Sequence, residues 1–115
     1  MKVFLYGTSE ECKQLEEYLE QYGEFQCMQC DSSQKVIDEI TRFSPRCAIV
    51  IMDGAEGMEV SGLIRRLYPE LPLLWFSNDP IFGVQSYRIN VTYFSVKEQL
   101  KEKLSFALKK AELIR

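Results

Sequence analysis

Asp53 is the residue best placed to do chemistry: it ends the uncharged run Cys47 to Met52 and is followed by Gly54. A run with no polar face suits a strand covered on both sides, as in a parallel sheet. In such sheets the carboxyl ends of the strands form the crevice where ligands bind. A carboxylate there is either a functional acid or the N-cap of the next helix. The cysteines offer less. Cys27 and Cys30 have the spacing of a redox or zinc pair, but Phe25 to Cys30 alternates like a strand, which sends the two thiols to opposite faces. A redox pair also needs a helix N-terminus to lower its thiol pKa. Zinc would need two further ligands, yet the chain has no histidine, and Cys12 and Cys47 stand singly in other elements. All four cysteines are expected as free thiols of a reducing cytosol. Thr8 and Ser9, after Gly7, supply hydroxyls at a helix N-terminus, where a nucleotide or flavin phosphate could sit.

The elements that must position these residues follow in alternation. Lys2 to Tyr6 is a short apolar strand. Thr8 and Glu11 then make a capping-box signature, and Cys12, Leu15, Leu19 and Tyr22 form the apolar stripe of a first helix, closed by Gly23. Phe25 to Cys30 is a second, more polar strand, suited to a sheet edge. The stretch Asp31 to Ser33 offers N-caps for a helix with Val36, Ile37, Ile40 and Phe43 inward, which stops near Ser44 and Pro45. After the central strand, Val60, Leu63, Ile64 and Leu67 mark a third helix over residues 56–68. Leu73 to Phe76 is a fourth strand, ended by the turn formers Ser77 to Pro80. Residues 81–87 suggest a short helix, and Val91 to Val96 a fifth strand ending at Lys97. Leu100, Leu104, Ala107, Leu108 and Ala111 line the last helix, with lysines and Glu102 on its other face.

Five strands alternating with helices imply an α/β fold: one doubly wound, five-stranded parallel sheet with right-handed crossovers. The flavodoxin-like order 2-1-3-4-5, one of the two common solutions, is the one expected here. That order brings Gly7, Thr8, Ser9, Asp53, Gly54, Ser77 and Lys97 to one rim. At 115 residues, 46% hydrophobic and 27% charged, the chain has the size and composition of one globular domain, 1-115. A net charge of -3 and a pI near 5.0, without a basic cluster, argue against nucleic acid or an anionic membrane as a partner. The apolar start is too short for a signal peptide, and no run approaches the roughly 20 residues of a membrane span, so a cytoplasmic protein is expected.

Over nearly its whole length the chain resembles the response-regulator receiver domain. Ile49 to Asp53 is similar to the strand that ends on the phospho-accepting aspartate. Pro72 to Ser77 is similar to the proline-led strand ending on a phosphoryl-contacting Ser or Thr. Tyr93-Phe94-Ser95-Val96-Lys97 matches the strand that carries the aromatic and the lysine. The resemblance implies that Asp53 is the phospho-acceptor, that Ser77 and Lys97 contact the phosphoryl group, and that Phe94 is the switch aromatic. The chemistry is coherent: an acyl phosphate on Asp53 adds negative charge, which an ammonium pairs with and a hydroxyl hydrogen-bonds.

The chain departs from that pattern where receivers place an acidic pair that holds magnesium. The matching positions here are Gly7 and Thr8; a proline in the loop after Asp53 is missing, and Glu98 follows Lys97 in place of a proline. Phosphoryl transfer depends on a cation to neutralise the transferred oxygens, and Asp53 alone would bind magnesium poorly. Glu10 or Glu11 could reach back to the site, but both lie on the first helical turn and read more simply as favourable charges at its N-terminus. The expectation is a degenerate receiver of a two-component phosphorelay, not an enzyme. It would have no cofactor, with magnesium only if another group replaces the acidic pair. It would work through a signalling partner such as a histidine kinase or an output protein, or through a homodimer. Tyr87, Ile89 and Tyr93 are the interface candidates.

Overall fold

Side-chain alternation along the buried strands divides the apolar runs between two cores, one on each face of a parallel sheet. The computed structural model describes residues 1–115. Its strands are β1 (Lys2–Gly7), β2 (Gln26–Cys30), β3 (Cys47–Ile51), β4 (Leu73–Phe76) and β5 (Tyr93–Ser95), in the order β2-β1-β3-β4-β5. All pairings are parallel, with Val3 opposite Cys27 and Cys47, and Gly7 opposite Ile51. Val3, Leu5, Ile49, Ile51, Leu74 and Phe76 face one core; Phe4, Tyr6, Ala48, Val50, Leu73 and Trp75 face the other. Every residue of β3 and β4 is buried, which is why their sequences show no polar side.

Helices α1 (Ser9–Leu19) and α5 (Leu100–Lys110) cover the first face with Cys12, Leu15, Leu19, Leu104 and Leu108. Helices α2 (Val36–Phe43) and α3 (Gly54–Leu67) cover the second with Val36, Ile40, Val60 and Ile64, joined at its margin by α4 (Phe82–Ile89). β2 lies at an edge, and Cys27 and Cys30 pack against opposite cores. No helix is long and apolar enough to cross a membrane.

Several boundaries differ from the sequence reading. β5 spans only Tyr93–Ser95 rather than Val91 to Val96. Val91 is drawn into the end of α4, its N–H donating to Ser86 O, and Lys97 opens a short 3-10 turn that leads into α5. On α3 the inward stripe is Gly57, Val60, Ser61 and Ile64. Leu67, the last residue of the helix, is half exposed. Ser32 precedes a 3-10 turn that leads into α2 but makes no side-chain cap. α1 stops at Leu19, and Tyr22 packs on the core from the turn beyond it.

Two close fits set the positions of α3. A Cβ on Gly57 would overlap the carbonyl oxygen of Met52 and lie 2.9 Å from Trp75 Nε1. The indole N–H of Trp75 donates to that same Met52 oxygen at 3.2 Å, so the absence of a side chain at position 57 lets the helix seat against the end of β3. At the opposite end of α3, Arg65 donates to four backbone oxygens: Tyr68, Pro69 and Leu71 through Nη1 at 2.7–3.1 Å, and Asn90 through Nε at 3.0 Å. These bonds tie the end of α3 to the end of α4.

Candidate functional site

The strand order places the ends of β1 and β3 side by side, and the site forms over them and the ends of β4 and β5. Asp53 occupies the N-cap position of α3 with extended backbone, yet its side chain caps nothing. Gly54 follows at φ +67, a left-handed conformation that favours glycine, and turns the chain into α3. The Asp53 carboxylate is spent across the sheet instead. Its Oδ1 accepts the N–H of Asn78 at 2.6 Å and the hydroxyl of Ser77 at 3.4 Å, and its Oδ2 lies 3.2 Å from Lys97 Nζ. Asp53, Ser77 and Lys97 therefore meet, with the Lys97 ammonium inside the salt-bridge distance of roughly 4 Å that defines such a pair. Burial works to raise the Asp53 pKa, but the Asn78 N–H, the Lys97 ammonium and the Ser77 hydroxyl outweigh it, and the carboxyl ionises below its ordinary 3.8.

Glu11 belongs to this cluster, which is a correction to its reading as a simple N-terminal charge of α1. Its Oε2 lies 2.6 Å from Lys97 Nζ, while its Oε1 accepts the Thr8 hydroxyl at 3.1 Å. The capping-box spacing carried the signal, since it fixed Glu11 on the turn that rises from the end of β1. Thr8 also accepts the Glu11 N–H at 3.2 Å. A phosphate at Thr8 and Ser9 would have to share the Thr8 hydroxyl with the Glu11 carboxylate. Beside this cluster, Tyr6 donates to Glu56 Oε2 at 2.8 Å; burial, then the hydrogen bond to Glu56, pushes its phenol pKa far above the ordinary value.

Magnesium takes oxygen ligands in near-ideal octahedral geometry, typically one or two carboxylates with waters. The donor set here does not fit it. Gly7 and Thr8 bring no carboxylate, both oxygens of Glu11 are engaged, and nowhere do three His, Cys, Asp or Glu residues gather as a cation cage. Gly7 has its own reason to be small. A Cβ there would meet Ile51 O at 2.6 Å and Ile51 Cγ2 at 2.7 Å.

Phe94 is half-buried and meets the Trp75 indole edge-on, ring centroids 5.2 Å apart, with Phe82 on the same indole at 5.6 Å. Of the interface candidates only Tyr87 stands free, 87% exposed; Ile89 and Tyr93 lean against the cores. The apolar residues that do face outward beside Tyr87 are Ile81 and Val84, 70% and 62% exposed. They recur with Tyr87 at a spacing of three on α4 and its first flanking residue, within the stretch 81–87 expected as a short helix. All four cysteines are free, and burial raises each thiol pKa, to about 12 for Cys12 and about 11 for Cys27. They stay protonated at neutral pH and form no part of the site.

The fold is that of the response-regulator receiver domains. Similar solved structures include response regulator RcsB of Salmonella typhimurium, with a TM-score of 0.83 at 16% identity over 98% of this chain. The chemotaxis response regulator CheY4 of Vibrio cholerae gives 0.77 at 15% over 96% of this chain and 97% of its own. The response regulatory domain of mrkE from Klebsiella pneumoniae gives 0.82 at 10%, over 98% of this chain and 96% of that one. This chain spans 60% of the RcsB chain. No protein-family model matches the sequence, and no curated protein matches it.

Proposed function

We propose that residues 1–115 form one receiver-like signalling module of a two-component phosphorelay that acts through protein–protein contacts and does not phosphorylate Asp53 in a magnesium-dependent way. The observation that carries this reading is the meeting of Asp53, Ser77 and Lys97 at three successive strand ends of a receiver fold. A carboxylate, a hydroxyl and an ammonium in that arrangement suit an acyl phosphate. The metal that would assist its formation lacks ligands at Gly7 and Thr8. What the site retains is a charged network joined to α4, and α4 carries the outward apolar row Ile81, Val84 and Tyr87. Exposed aromatic and aliphatic groups of this kind are enriched at interface cores. A histidine kinase, an output protein or a second copy of the chain is the class of partner that fits. No catalytic turnover is assigned.

Incubation with magnesium and acetyl phosphate, read by intact-protein mass spectrometry, tests the chemistry. No phosphoryl adduct is expected. An adduct abolished by Asp53→Asn would overturn the degenerate reading. Sedimentation of Tyr87→Ala tests the contact surface: weaker self-association or weaker binding to a cognate kinase is expected, and unchanged behaviour in both counts against α4.

A further inference from the structure

The sequence carries 14 Lys and Arg against 17 Asp and Glu, yet the two ion pairs of the folded molecule both fall on Lys97. Its ammonium lies between Glu11 Oε2 at 2.6 Å and Asp53 Oδ2 at 3.2 Å, and it is the deepest of the three groups, with 12% of its side chain exposed against 30% for Glu11 and 49% for Asp53. The remaining oxygens are also committed, Glu11 Oε1 to the Thr8 hydroxyl and Asp53 Oδ1 to Asn78 N and Ser77 Oγ.

We propose that Lys97 is the resident cation of this site, clamped between Glu11 and Asp53 in the role a divalent ion would otherwise fill, and that Glu11 is the positioning residue that keeps it there. The proposal deepens the receiver-like reading and rests on it only for the expectation that a metal belongs at this rim. Two carboxylates and one ammonium leave a net charge of minus one. A divalent ion entering the cluster would have to displace the ammonium from both partners and strand it, mostly buried, without a counter-charge, which is costly. Magnesium also gives up its waters reluctantly. Metal indifference is then caused by an ammonium that is present as much as by acids that are absent. Taking the ammonium away should therefore expose a latent pair of carboxylates that attracts a divalent ion, with no acid added to the chain.

The full chain and its Lys97→Met variant are titrated with manganese, and free ion is read from its paramagnetic resonance signal. The unmodified chain should show no saturable binding at millimolar ion. Lys97→Met should bind at least tenfold more tightly, magnesium should compete, and Lys97→Met combined with Glu11→Gln should lose the gain. Micromolar binding by the unmodified chain, or no gain in a Lys97→Met variant whose circular dichroism shows it folded, overturns the proposal. If that variant does not fold, the amide spectrum of the unmodified chain decides. Manganese should leave the Gly7, Gly54 and Asn78 signals sharp, and selective broadening of these three refutes a resident ammonium. Self-association through Tyr87 is read without metal, so the failure of that signalling test and the failure of this one are separate results.

Discussion

Two glycines of one helix should answer the same substitution with opposite signs. Gly57 and Gly62 both lie inside α3, and neither has a left-handed backbone. On propensity alone, alanine at either position gains about 1 kcal/mol. At Gly62 nothing lies within 4 Å of the added Cβ, so Gly62→Ala should raise stability by about 0.5–1 kcal/mol. At Gly57 the Cβ would overlap Met52 O and press on Trp75 Nε1 at 2.9 Å. The helix must lift off the end of β3, an overpacking cost of about 1–3 kcal/mol. The Trp75 N–H, in a side chain with no exposed surface, then loses its acceptor, at a further cost of about 1–3 kcal/mol. Net of the propensity gain, Gly57→Ala should lose roughly 1–5 kcal/mol. Urea unfolding followed by circular dichroism measures both variants. Fluorescence of Trp75, the one tryptophan, should shift in the folded Gly57→Ala protein and stay unchanged in Gly62→Ala. If the two variants prove equally stable, the close seating of α3 on Met52 is wrong, and with it the account of how Asp53 is held.

Gly7→Ala should lower the melting temperature by about 4–8 °C, because bringing the Cβ to ordinary contact moves β1 away from Ile51 at a cost of about 1–2 kcal/mol; an unchanged melting temperature refutes the close approach. Arg65→Ala should cost about 2–4 kcal/mol in urea, since four carbonyl oxygens lose a charged donor, and Arg65→Lys should recover little because an ammonium cannot reproduce the planar fork. The depressed Asp53 pKa fixes a pH dependence. A carboxylate stabilised in the folded state contributes fully above its unfolded pKa of about 3.9 and loses that contribution as pH falls through its lower folded value. The stability difference between the unmodified chain and Asp53→Asn should therefore be flat above about pH 5 and shrink below about pH 4; a difference that persists unchanged to pH 2.5 contradicts the pairing with Lys97 and Asn78.

The sheet was legible because its strands are buried on both faces and its helices amphipathic on one, so Cys47 to Ile51 and the Leu104, Leu108 stripe declare themselves without neighbours. Alternation and handedness narrowed the strand order to two common solutions, and the one expected, which the structure has, brings Asp53, Ser77 and Lys97 to one rim. What stayed hidden depends on contacts between residues far apart in the chain. Glu11 looks like any helix-starting acid until β5 delivers Lys97 to it. Gly57 looks like a weak point in a helix until the Met52 carbonyl and the Trp75 indole arrive from two strands. Arg65 reads as a solvated charge, because the carbonyls it gathers come from a loop and from the end of α4. The outward row of α4 was missed for a different reason: Tyr87 was grouped by residue type with Ile89 and Tyr93, which pack against the cores, and not by helical spacing with Ile81 and Val84.

The four-carbonyl grip of Arg65 also makes α4 a helix held at both ends. Its far end is pinned to α3 through Asn90, just before the amino end of β5 and so at the opposite end of the strand from the site. Its near end hangs from the site itself, since Asp53 holds Asn78 and Ser77, Ser77 Oγ accepts the Asp79 N–H, and Asp79 O accepts the Phe82 N–H. The two ends of α4 are therefore tied to different neighbours, Asn90 to Arg65 of α3 and Phe82, through Asp79 and Ser77, to the Asp53 carboxylate. The Ile81 N–H donates to Asp79 Oδ1 at 3.2 Å and the Asn90 N–H to Tyr87 O at 3.1 Å, so a partner lying along Ile81, Val84 and Tyr87 would rest on a surface anchored to the site at one end and to α3 at the other.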